Sequence, residues 1–231
     1  MLTGNEFVSK LTQDNEGLFR SSELMVKAYF DSKPSQSELV DHFIGRMVNE
    51  RMNMVGVAKA VANADVNTDP EELTLLSKQV LDEAIHFKLV KEVIEHITGT
   101  EVDVDAAIAN EKAKPTAKGA SLLSKYGQLD DVVLSTYQLI AEGRAERNWD
   151  MMANCIEDQF ISSRYARIAK DEGFHATIGA RKLAELCGDE ATQARVESLA
   201  RQMRQDLYEV CCANSMPTEE AKRVFEEAYT H

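Results

Sequence analysis

Apolar side chains recur at helical spacing along most of this chain. Between Ser37 and Ala64, Phe43, Met47, Met54, Val57 and Val61 fall on one stripe, with Glu50 among them. This segment is predicted as helix A. The run Asn67-Thr68-Asp69-Pro70 reads as a stop and restart, because an Asp or Thr cap followed by proline is a helix-entry signal. Helix B is predicted over 71–98, stopping at Gly99. Residues 100–119 have no sustained apolar stripe and carry Pro115 and Gly119, which predicts a long and mostly irregular connection. Helix C is expected to begin between Leu122 and Gln128 and helix D to end at Gly188, giving spans of 122–153 and 158–187. Asn154 or Asp158 marks the turn between them. Residues 1–30 and 190–229 supply further amphipathic segments, the last broken at Met216-Pro217-Thr218.

One internal repeat orders these helices. Residues 82–99 (DEAIHFKLVKEVIEHITG) align without a gap on residues 171–188 (DEGFHATIGARKLAELCG). Asp, Glu, His and the closing Gly coincide, and Leu89 with Ile178 and Ile94 with Leu183 keep the same apolar places. Helices B and D are therefore read as equivalent helices in two halves of a bundle.

Composition agrees with an all-α chain. Hydrophobic residues make up 44% and charged residues 28% of 231 residues, with only 4 prolines and 11 glycines. The formal net charge of −13 repels phosphate backbones and anionic lipid, so nucleic acid and membrane surfaces are excluded as expected partners. Met1 to Lys10 contain no basic start followed by an apolar run, and no stretch approaches a membrane span, so a cytoplasmic location is expected. Cys155, Cys187, Cys211 and Cys212 form no Cys-x-x-Cys pair and are read as buried free thiols.

The repeat carries chemistry. Residues three apart share a helix face, so Glu83 with His86 and Glu172 with His175 each present a carboxylate and an imidazole to one point. His42, His96 and His231 have no comparable neighbour. If helices A and B run antiparallel about a turn near residue 67, the position level with Glu83 falls at 50 or 51, and Glu50 stands there between Met47 and Met54. An unpaired charge buried in such company is costly. The same construction on helices C and D selects Glu142 opposite Glu172, with Glu146 one turn further as its competitor or as a proton carrier.

With these residues in place the chain resembles the ferritin-like di-iron carboxylate proteins. Their pattern is Glu, Glu-x-x-His, Glu, Glu-x-x-His on helices A to D with a long B–C crossover, and residues 37–188 match it at Glu50, Glu83, His86, Glu142, Glu172 and His175. The resemblance implies a single ferritin-like domain over 1–231, a four-helix bundle with additional N- and C-terminal helices. It implies two iron ions, with manganese as the other candidate, since oxygen-rich ligation with one imidazole per metal suits these better than zinc. It further implies a crossed pairing of Asp171 with His86 and Asp82 with His175. The implied activity is a di-iron oxygenase or oxidase, a monooxygenase-type oxidoreductase that uses O2 to oxidise a small apolar or aromatic molecule. The alternative is a ferroxidase or iron-binding protein.

Three features favour the organic substrate. Helical segments outside the four ligand-bearing helices can wall a cavity. Phe43, Met47, Met54, Tyr165 and Ile168 are expected to line the site, and Gly179, where the repeat has Val90, is expected either to leave space above the metals or to serve close packing. Tyr165 and Trp149 are read as buried core aromatics rather than electron relays. No rubredoxin-type Cys-x-x-Cys module is present, so a separate ferredoxin or reductase is the expected electron donor, and a homodimer is an allowed assembly.

Overall fold

A computed structural model describes residues 1–114, 122–126 and 129–229. Among the described residues the secondary structure is helical, with no strand. The helices are α1 (Gly4–Asp14), α2 (Glu16–Asp31), α3 (Gln36–Ala62), α4 (Pro70–Thr98), α5 (Val104–Ala113), α6 (Asp131–Tyr137), α7 (Gly143–Cys155), α8 (Gln159–Leu186), α9 (Glu190–Asn214) and α10 (Glu219–Tyr229). A 3-10 turn occupies Leu123–Tyr126, and a π-helical stretch, Gln138–Glu142, joins α6 to α7. No helix among the described residues is long and apolar enough to cross a membrane.

The contacts divide the chain into two compact units, one of Met1–Ser32 with Leu123–His231 and the other of Lys33–Leu122. In the smaller unit α3 and α4 pack along one another, and Gln36 Nε2 near the start of α3 donates to Ile97 O near the end of α4 at 2.6 Å, so the pair is antiparallel. Local chemistry sets both helix limits. Ser35 and Glu38 form a capping box at α3, and Asp69 accepts from Glu71 N at 2.9 Å with Pro70 leading α4. Gly99 ends α4 at φ 69°, a left-handed conformation that glycine adopts without steric cost.

The irregular connection expected over 100–119 is overturned in part by α5. Asp103 caps it by accepting from Ala106 N at 2.9 Å, Ala107 is buried, and a buried Glu111 pairs with Lys114. Ten residues hold too few turns for an apolar stripe to stand out. Residues 115–119 lie outside the described residues.

In the larger unit α7 and α8 pack together, α6 and the π-helical stretch lie on α8, α2 rests on α7, and α9 and α10 pack against α2. Leu18, Met25, Trp149, Met152, Tyr165, Ile168, Leu183 and Met203 fill its core. Each fully buried aliphatic side chain contributes about 1.5–3 kcal/mol. Helix C differs from its expected 122–153 span. The helix begins at Asp131, because Asp130 accepts from Val133 N at 3.0 Å and fixes the first turn there, while residues 127–128 are outside the description. Helix D starts at Gln159 because Asp158 accepts from Phe160 N at 2.8 Å, and it closes at Cys187, one residue before the expected Gly188.

Candidate metal-binding triads

In the smaller unit the α3–α4 hairpin brings Glu50 level with Glu83 and His86. The three residues each offer a ligand atom, and these atoms lie within 4.8 Å of one another. His86 Nδ1 stands 3.6 Å from Glu50 Oε2 and 3.9 Å from Glu83 Oε2. Exposure is 2% for Glu50 and nil for Glu83 and His86. Glu50 Oε2 makes no hydrogen bond among the described residues. Two carboxylates and an imidazole in a dry site are an expensive arrangement, since each buried ion loses its hydration.

The larger unit builds a matching group. Glu142, Glu172 and His175 also offer ligand atoms within 4.8 Å of one another, and all three are buried. His175 Nδ1 is 3.1 Å from Glu172 Oε2 along one face of α8. Glu142 is the last residue of the π-helical stretch. Insertion of such a turn rotates the residues beyond it relative to a regular helix, and these turns concentrate at functional sites. Nothing in the sequence marked it.

Glu146 has a different place. Its carboxylate lies over Gly173, where an added Cβ would meet Glu146 Cδ at 2.9 Å. Burial pushes the Glu146 carboxyl above its ordinary range, and the nearby Arg147 opposes that shift. Asp82 is buried and ion-paired with Lys78, whereas Asp171 is half-buried with Arg167 Nε at 3.9 Å.

Of the expected lining residues, Phe43, Met47, Tyr165 and Ile168 are buried, while Met54 is only partly so. Trp149 and Tyr165 pack on each other with ring centroids 4.9 Å apart. Gly179 leaves no space. A Cβ there would lie 2.6 Å from Ser135 O and 2.8 Å from Leu139 N, so the glycine lets α8 approach the backbone that leads to Glu142. Of the two roles expected for Gly179, it is close helix packing that the structure shows.

All four cysteines are free, but Cys155 and Cys212 are only partly buried. One polar cluster of the larger unit had no warning in the sequence. Arg144, in Gly143-Arg144-Ala145-Glu146-Arg147, is buried, as is Asn148 one turn on.

No family model matches the chain, and no curated protein matches it. Among solved structures it is similar to a TenA homolog from Pseudomonas syringae pv. tomato str. DC3000. The TM-score is 0.66 at 13% sequence identity, over 90% of this chain and 92% of that one. At that identity the likeness establishes an all-helical fold.

Proposed function

We propose that this chain is a ferritin-like di-iron oxygenase or oxidase in which Glu50, Glu83, His86, Glu142, Glu172 and His175 hold two iron ions. The observation that carries the reading is the duplicated triad. Each unit buries two carboxylates and one imidazole, built on the Asp-Glu-x-x-His segments that repeat at 82–86 and 171–175. The donor set fits the metal. Hard oxygen ligands with one imidazole per ion suit iron or manganese, and a bound cation offsets the cost of burying the carboxylates.

Bound iron would supply the reduction of dioxygen and the oxidation of a small organic molecule. The chain's own residues do the rest. The carboxylates would neutralise the ions, each imidazole is fixed by the helix that also carries its glutamate, and Phe43 and Met47 on α3 and Tyr165 and Ile168 on α8 are buried on helices that carry ligands. Turnover draws electrons from a separate ferredoxin or reductase.

The test is iron content after anaerobic loading, followed by exposure to oxygen. About two irons per chain are expected, the number the six-ligand pattern accommodates. Glu172→Ala and Glu142→Gln should lose most of this iron and Glu146→Gln should retain it. Iron binding unchanged by Glu172→Ala would overturn the ligand set. Two bound irons with sustained oxidation of added ferrous iron, and no oxidation of small apolar or aromatic molecules, would favour a ferroxidase instead.

A further inference from the structure

The junction of α1 and α2 buries the guanidinium of Arg204, a residue of α9. Its Nε donates to Asn15 Oδ1 at 2.7 Å, and Arg204 and Asn15 are 6% and 0% exposed. Arg204 makes no ion pair among the described residues, and its Nη2 has no hydrogen-bond partner there. Asn15 Nδ2 has none either. Because Nε can only donate, the amide must present its oxygen to Arg204, which leaves the nitrogen as its vacant atom.

What remains at this contact is donors. Nε and Nη2 are adjacent prongs of one planar fork, so Nη2 opens beside the Asn15 amide, whose oxygen already serves Nε. Asn15 is also the N-cap of α2, a helix of 16 residues, and its side chain makes no cap hydrogen bond. A helix start favours negative charge. The neighbouring polar groups are engaged elsewhere. The Asp14 carboxylate pairs with Lys10 at 2.8 Å, and Tyr229 Oη accepts from Leu18 N and donates to Asp14 O. The Tyr229 ring centroid lies 5.3 Å from the guanidinium carbon. A guanidinium is costly to bury without a counter-charge, and burial is the largest influence on Arg204, holding it below its ordinary value.

We infer that the Arg204–Asn15 contact is a binding site for a small monovalent anion, with chloride as its representative ligand. The anion accepts from Nη2 and Nδ2 and supplies the charge that Arg204 lacks. Near-complete burial admits only a compact ion. Asp14 and Glu197 both act on Arg204 and would repel a doubly charged phosphate. The bound ion ties α9 to the start of α2, so the stability of the folded chain should depend on it.

The inference does not depend on iron, so the test uses full-length protein in chelator-containing buffer. The protein is unfolded with urea at fixed ionic strength while sodium gluconate is replaced stepwise by sodium chloride. The folding constant of the parent is expected to rise along a saturating one-site curve, about elevenfold when chloride reaches about ten times its dissociation constant. In Asn15→Asp a carboxylate takes the place of the anion beside Arg204, so this variant should be insensitive to chloride and at least as stable as the chloride-free parent. Arg204→Met should also lose the response, and Asn15→Asp decides the matter if Arg204→Met does not fold. A parent indifferent to chloride, a response retained in Asn15→Asp, or a saturating response to phosphate at lower concentration than to chloride would overturn the inference.

Discussion

Glu50 Oε2 stands 3.6 Å from His86 Nδ1 with both side chains buried, an approach made by the antiparallel packing of α3 on α4. Neither residue's own helix supplies that neighbour. The contact therefore reports the register of the hairpin, set at one end by Ser35 and Gln36 and at the other by Asp69 and Pro70.

Glu50 links the triad to stability. In metal-free protein, Glu50→Gln removes a buried negative charge beside Glu83 and keeps the shape of the side chain. The metal-free variant is expected to be more stable than the parent by about 1–3 kcal/mol, measured by chemical denaturation. Ferrous iron should stabilise the parent by mass action and the variant far less. A metal-free variant weaker than the parent that still gains fully from iron would remove Glu50 from the ligand set.

Gly179 tests the packing that carries Glu142. A methyl group there meets Ser135 O at 2.6 Å, Gln138 Cβ at 2.7 Å and Leu139 N at 2.8 Å, two of which are backbone atoms that cannot rotate away. Gly179→Ala should cost about 1–3 kcal/mol by overpacking and should lower iron loading by displacing the π-helical stretch. Gly188→Ala is the control, because nothing lies within 4 Å of its added carbon. Equal stability of the two variants would contradict the close approach.

Asp130 sets the start of the helix that leads to Glu142. Its Oδ1 accepts from Val133 N at 3.0 Å and its Oδ2 meets Arg195 at 2.6 Å. Burial raises its carboxyl, but the Val133 and Arg195 contacts outweigh that and bring it below the ordinary 3.8. A carboxyl lowered on folding adds stability that is fully present above its unfolded value and is lost as pH falls through the folded one. Asp130→Ala should therefore cost about 0.5–2 kcal/mol at neutral pH, the usual worth of a helix cap. Denaturation curves of parent and variant should converge in acid below pH 3.8. A constant difference across that range would mean that the carboxylate's charge adds nothing.

Most helix limits were legible in the sequence because local groups write them. Asp69-Pro70, Gly99 and Asp158 act on backbone atoms a few residues away, and each ends or begins a helix close to where its chemistry predicts. The Glu-x-x-His pairs were legible for the same reason, since their spacing is a property of one helix. Helix α5 was not, because its short apolar face is stabilised by packing on α3.

By itself the sequence determined an all-helical chain, the repeated Asp-Glu-x-x-His segments and the candidate carboxylates level with them, all consequences of helical period and of turns placed by caps. Only the tertiary structure decided that Gln138–Glu142 winds as a π-helix, that Gly179 serves contact and not space, that Glu142 joins Glu172 and His175 while Glu146 lies over Gly173, and that Arg144 turns inward to Cys211. These outcomes depend on which backbones approach one another and on which polar atoms are then left to share a dry interior, and neither quantity is local in the chain.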